Sequence, residues 1–166
     1  PGSSEGFDNY LVTKYTSGIP GSYGIRIDTN SVKFETNSNG SLGISTLTSV
    51  TAGNWYLLVG TYQNSGTNAL TSFYGLNSST IISSTFAVSA SFSTNVSSAF
   101  TINGYWNGSN VTNHDFNGSI ARVGIWNRVL SESEMTTLYN NGSGYCYNQL
   151  PSGLDTAVAA WWDLSE

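Results

Sequence analysis

The stretch FNGSIARVGIWNRVLSESEMTTLYNNG, residues 116–142, constrains the fold more than any other part of the chain. Ala121, Val123 and Ile125 alternate onto one face and Ile120, Gly124 and Trp126 onto the other, with Arg122 the exception. A strand apolar on both sides belongs inside a layered structure, not at a sheet edge. Ser131 and Glu134 then have the spacing of a capping box, in which the hydroxyl accepts from the backbone three residues on and the carboxylate reaches back. The pattern predicts one short helix over residues 131–139. Met135, Leu138 and Tyr139 form its apolar stripe, and Asn141 and Gly142 provide a left-handed exit.

The rest of the chain reads as short strands separated by turns. Residues 10–15 and 22–28 are strands. In the second, Tyr23, Ile25 and Ile27 share one face and Arg26 and Asp28 the other. Thr29 and Asn30 make a tight turn into a strand over 31–36, with Val32 and Phe34 inward. Residues 37–43 are turn-rich. WYLLVGTY, residues 55–62, is apolar on both faces and reads as a central strand. Residues 69–75 alternate, 78–98 carry only weak strand signals around Ile81 and Phe86, and 99–103 form a further strand before a long polar loop over 103–117. The pattern is that of an all-β protein, an antiparallel sandwich with a single short helix.

The spacing F-x-G-x-I-x-x-V-x-I-W-N-R-x-L-S-x-x-E-x-x-x-L-Y-N-x-G resembles the closing strand and helix of LamG-like jelly-roll domains, members of the concanavalin A-like lectin/glucanase superfamily. YLVTKYTSGIPGSYGIRI and NWYLLVGTY resemble earlier strands of the same domains, so the likeness covers most of residues 10–142. It implies an antiparallel jelly-roll β-sandwich of the concanavalin A-like kind. It says little about function, because that fold carries many.

At the ends the pattern departs from the family's. The apolar opening strand expected at the N-terminus is not found there. A similar segment, AVAAWWDLSE, occupies residues 157–166 instead. Three arrangements account for this. Residues 1–166 are one domain excerpted from a tandem array, ending inside the next repeat. Or they are a circular permutant, with residues 157–164 pairing beside 120–126. Or the opening strands come from a strand-donating partner chain. The first four residues, PGSS, read as a tag remnant, so a missing leader says nothing of location.

Composition narrows the function classes. Charged residues are 9% of the chain, with five Lys and Arg against ten Asp and Glu. So few cations exclude a nucleic-acid interface, which needs a basic patch. No apolar run reaches membrane-spanning length, which excludes membrane insertion through a helix. A composition kept in solution by hydroxyls and amides suits a secreted protein or one displayed on a cell or virion surface. The lone Cys146 has no internal disulfide partner; it is a small apolar filler or a reactive thiol.

Hydrolytic relatives in the superfamily use paired carboxylates on one strand. Here only Glu132 and Glu134 stand two apart, in a first helical turn where acids serve the helix dipole. The chain therefore reads as a non-enzyme. The only histidine, His114, cannot share a face with the adjacent Asp115 on an extended segment.

The best functional stretch is NGYWNGSNVTNHDF, residues 103–116. Tyr105 and Trp106 offer flat faces to the apolar side of a sugar ring. Asn107, Asn110, Asn113 and His114 offer hydrogen bonds to hydroxyls. This points to a carbohydrate-binding or adhesion module whose partner is a glycan or surface polysaccharide. The competing reading makes the two aromatics a cover for the core edge and the domain a spacer, assembly or decoration module working through protein contacts. The resemblance admits calcium (Ca2+), with Asp115 as its ligand and Asp28 a remote second.

Overall fold

The computed structural model describes residues 9–14, 22–28, 31–38, 41–48, 50–64, 69–77, 81–88, 98–106, 109, 111–112 and 116–164. In chain order the strands are β1 (Asn9–Lys14), β2 (Ser22–Asp28), β3 (Ser31–Ser38), β4 (Ser41–Thr48), β5 (Leu57–Asn64), β6 (Ala69–Leu76) and β7 (Ile81–Val88). These are followed by β8 (Thr101–Ile102), β9 (Tyr105–Trp106), β10 (Val111–Thr112), β11 (Arg122–Trp126), helix α1 (Glu132–Tyr139) and β12 (Val158–Asp163). All pairings are antiparallel. One sheet has the order β4-β3-β2-β1-β8, a second β5-β6-β7; β9 pairs with β10, and β11 with β12. The chain is thus all-β apart from one short helix, as its turn and strand patterns predict.

The two larger sheets face each other through Val32, Phe34, Leu47 and Phe73, with Leu58 against them. The Phe34 and Phe73 rings lie 6.1 Å apart and tilted. Gly60 makes this approach possible, since a Cβ there would stand 2.5 Å from the Phe34 ring. Gly75 does the same over Leu47. On the opposite side of β5 and β6, Leu57, Val59, Tyr74 and Leu76 belong to a second core with Leu130, Met135, Leu138 and Leu154. The arrangement has three layers: the β4-to-β8 sheet, the β5-to-β7 sheet, then α1 with its flanking segments.

This layering corrects the expected place of the WYLLVGTY strand. It begins at Leu57, two residues late, and it is the edge of its sheet among the described residues, not the centre. It is apolar on both faces because one face meets the sheet opposite and the other meets α1. The same correction applies to residues 120–126. Strand β11 pairs only with β12 among the described residues, so its apolar character again comes from layers above and below. Residues 158–163 do lie beside it, with Val123 opposite Trp162 and Gly124 opposite Trp161. A Cβ on Gly124 would fall within 2.8 Å of both Trp126 and Trp161, so only glycine lets those rings meet, edge to face at 5.7 Å.

Four strands exceed the expectation: β4, β7, and the short β9 and β10 inside the 103–117 loop. β4 starts inside the turn-rich 37–43 and runs on to Thr48 through residues that no strand pattern marks, and β7 runs for eight residues through a Ser- and Thr-rich segment with only weak strand signals. The helix follows its caps closely. Both halves of the capping box are present on Ser131 and Glu134, Met135 and Leu138 are buried, and the exit starts one residue early, with Asn140, Asn141 and Gly142 all at positive φ.

Candidate functional site

Register places several loops at one end of the larger sheet. β1 begins at Asn9, opposite Ile27 near the end of β2. β3 begins at Ser31, opposite Asp28, and β4 ends at Thr48, opposite Ser31. β8 runs antiparallel to β1, so Ile102 leaves it heading for that same end. The turn over residues 50–56, which follows β4 and opens β5, also belongs there.

The base of the 103–116 loop is firmly tied. The Asn103 N–H donates to the Leu11 carbonyl at 2.8 Å, and the Phe116 N–H donates to Asn103 Oδ1 at 3.3 Å. Asn103 sits at φ 55°, a left-handed conformation that asparagine tolerates better than most residues. The Thr101 hydroxyl donates to the Gly104 carbonyl at 2.8 Å and is 3.1 Å from the Thr13 hydroxyl. This anchoring delivers Tyr105 and Trp106 onto β9, where Trp106 pairs with Val111 and Tyr105 with Thr112.

The two aromatics have different surroundings. Tyr105 stacks on Tyr10, with centroids 5.3 Å apart and planes 20° from parallel. One of its faces is therefore occupied by the core edge. Trp106 is half-buried, and its cross-strand neighbour Val111 is exposed. The structure brings these two predicted residues together on one short hairpin. Asn107, Asn110, Asn113, His114 and Asp115 lie outside the described residues. Among the described residues, no group of three or more His, Cys, Asp or Glu could hold a metal ion.

Sequence reasoning missed a third aromatic at this end. Trp55, taken for a strand residue, stands on the 50–56 turn and is 57% exposed. The turn is held by the Tyr56 phenol, whose oxygen accepts the Thr51 N–H at 2.9 Å. That bond, followed by those to Asn54, Thr51 and Asn77, stabilises the phenolate and lowers the Tyr56 pKa from its ordinary value. The signal available was the A-G-N-W run, a turn sequence directly before the apolar pattern starts.

Most described carboxylates have structural partners. Glu35 pairs with Arg26 at 2.7 Å in a buried contact, and Lys33 holds Asp28. Asp163 receives Arg122 Nε at 3.2 Å, Glu134 receives Arg128 at 2.7 Å, and Asp155 accepts the Gly153 N–H. Arg122 also donates to the Ser143 carbonyl and, at 3.6 Å, to Cys146 Sγ, so the thiol takes part in a polar contact rather than filling an apolar gap.

Residues 1–136 match a laminin G family model of the concanavalin A-like lectin/glucanases superfamily. The chain belongs to this superfamily. No curated protein and no solved structure matches the chain. The antiparallel sheets and the absence of a long helix fit the β-sandwich of the superfamily, whose laminin G-like members are typically non-catalytic, commonly extracellular and often engaged in carbohydrate binding or adhesion. No described helix is long and apolar enough to cross a membrane. Strand β12 lies beyond the matched residues, yet its backbone completes the pairing of β11.

Proposed function

We propose that the domain is a non-catalytic carbohydrate-binding or adhesion module of a secreted or surface-displayed protein, taking a glycan or surface polysaccharide. The observation that carries this is Trp106, half-open on a hairpin whose root is pinned, next to a tyrosine already committed to the core edge. A rigid aromatic flanked by amides and hydroxyls binds a sugar at low entropic cost, since its apolar face stacks and its neighbours hydrogen-bond. Tyr105, Trp106, Asn107, Asn110 and His114 form the ligand set in this proposal, with Asp115 beside them as the residue for calcium. Enzymatic hydrolysis is not part of it, because most of the described carboxylates are engaged in ion pairs and caps.

A glycan array screened with the wild-type domain and with Trp106→Ala tests the proposal. Wild-type binding that weakens at least about tenfold in the variant is expected. A wild-type domain that binds no glycan, or a variant that binds as well, would sink it.

A second reading, an assembly or spacer module, is favoured by one observation. Ile82 and Phe86 lie on the same side of β7 and are 40% and 44% exposed. β7 is an edge strand among the described residues, and apolar edge strands invite association. In either reading we take residues 1–166 as a single domain in a permuted strand order. Residues 157–166 then play the part of an opening strand.

A further inference from the structure

From the 50–56 turn we infer a second sugar-stacking position: Trp55 is an outer subsite for a neutral glycan chain that also engages Trp106. This rests on the carbohydrate-binding reading and adds to it the length and charge of the ligand. Trp55 is the most exposed of the large hydrophobic side chains among the described residues. Burying an indole is among the larger apolar gains available to a fold, so leaving this one in water forgoes stabilisation. The turn is nevertheless well defined. Gly53 takes φ +86°, a conformation that favours glycine, and the Tyr56 oxygen accepts the Thr51 N–H at 2.9 Å. Trp55 is therefore presented by an ordered turn.

The chemistry around it selects the ligand class. Residues 50–64 contain no charged side chain. The exposed neighbours Thr51 and Asn54 offer a hydroxyl and an amide. The turn itself therefore supplies no counter-charge to an anionic or cationic ligand, while its indole, hydroxyl and amide suit the alternating apolar faces and hydroxyl rims of neutral sugars. The strand register puts this turn and the start of β1 at one end of the sheet, and Tyr105, next to Trp106, stacks on Tyr10 in β1. One aromatic on the β9–β10 hairpin and another on the 50–56 turn, at the same end of the sheet, suit separate units of a polymer better than a single sugar.

The test uses the full chain. Wild type, Trp55→Ala, Trp55→Phe and Trp106→Ala are screened on neutral and acidic glycans. The best neutral ligand is then titrated as oligosaccharides of increasing length. Trp55→Ala should weaken the longer oligosaccharides about tenfold, leave the single sugar unchanged, and be partly rescued by Trp55→Phe. Its melting temperature should match wild type, because the side chain is exposed. If Trp55→Ala binds every length as wild type does while Trp106→Ala loses binding, this inference alone is overturned. Preference for acidic glycans also overturns it, through the ligand class. If the wild-type domain binds no glycan, both it and the carbohydrate-binding reading fall.

Discussion

Gly60 shows how much of the interior depends on one missing side chain. It lies over the Phe34 ring, with Phe73 paired to it across the β5–β6 ladder. On the opposite sheet Phe34 is paired with Ser45, a buried small residue that leaves room for the ring. Two phenylalanines therefore fill a gap created by a glycine and a serine. Gly60→Ala puts a methyl group 2.5 Å from a buried ring, so the ring or the strand must shift. A loss of about 1–3 kcal/mol is expected, as for other overpacked cores. Chemical denaturation with an unchanged m-value checks it, and a variant as stable as wild type would contradict the packing described. None of this was visible in the sequence, where Gly60 reads as an ordinary strand residue and Ser45 lies outside every expected strand.

Helix α1 is the element most fully specified by its own residues. The Ser131 backbone N–H donates to Glu134 Oε2 at 2.8 Å, and the Ser131 hydroxyl receives the Glu134 N–H. Arg128 bonds the same carboxylate and donates to the Gly153 carbonyl at 2.6 Å, which ties the helix start to the segment leading into β12. The Arg128 bond first, then the Ser131 N–H, hold the Glu134 carboxyl down to about 2 from its ordinary 4.5. The folded state thus binds this proton less readily than the unfolded chain. The contribution is complete above about 4.5 and is lost as pH falls toward about 2. Melting temperatures taken through that window should drop more steeply for wild type than for Glu134→Gln. Parallel curves would show that the cap adds nothing to stability.

Across the molecule, the layers decide which surfaces are open. Between the inner face of β1 to β3, the start of β5 and strand β11 lies a cavity of about 1170 Å³, lined in part by Tyr23, Ile25, Leu58 and Val123. Burial there raises the Tyr23 pKa by desolvation. On the far edge of the second sheet, Ile82 and Phe86 present an apolar stripe. If the domain works as an assembly module through this edge, Ile82→Lys with Phe86→Lys should abolish self-association or partner binding seen by sedimentation while the fold persists. If it works as a glycan-binding module, the same variant should leave glycan affinity untouched. The two proposals therefore separate at the level of the intact domain.

The sequence by itself determined the helix, its two caps, its buried stripe, the β2–β3 hairpin and the all-β class. Each of these depends on local chemistry: Ser131 and Glu134 find each other three residues apart, and Val32 and Phe34 alternate inward. It also located Tyr105 and Trp106 together on one segment. Only the tertiary structure decided that, among the described residues, β5 and β11 are edge strands in their sheets, because apolar residues on both faces record burial between layers and carry no information about neighbours along the hydrogen-bonding direction. Only it decided that β4 is a strand and that the weak signals at Ile81 and Phe86 belong to one continuous strand, since Ser45 is inward for the sake of Phe34 and the serines of β7 are extended by pairing with β6. And only it separated the three aromatics by exposure. Stacking on Tyr10 occupies Tyr105, whereas the Thr51–Tyr56 hydrogen bond holds the turn that leaves Trp55 in solvent, and both are contacts whose side-chain directions the sequence does not encode.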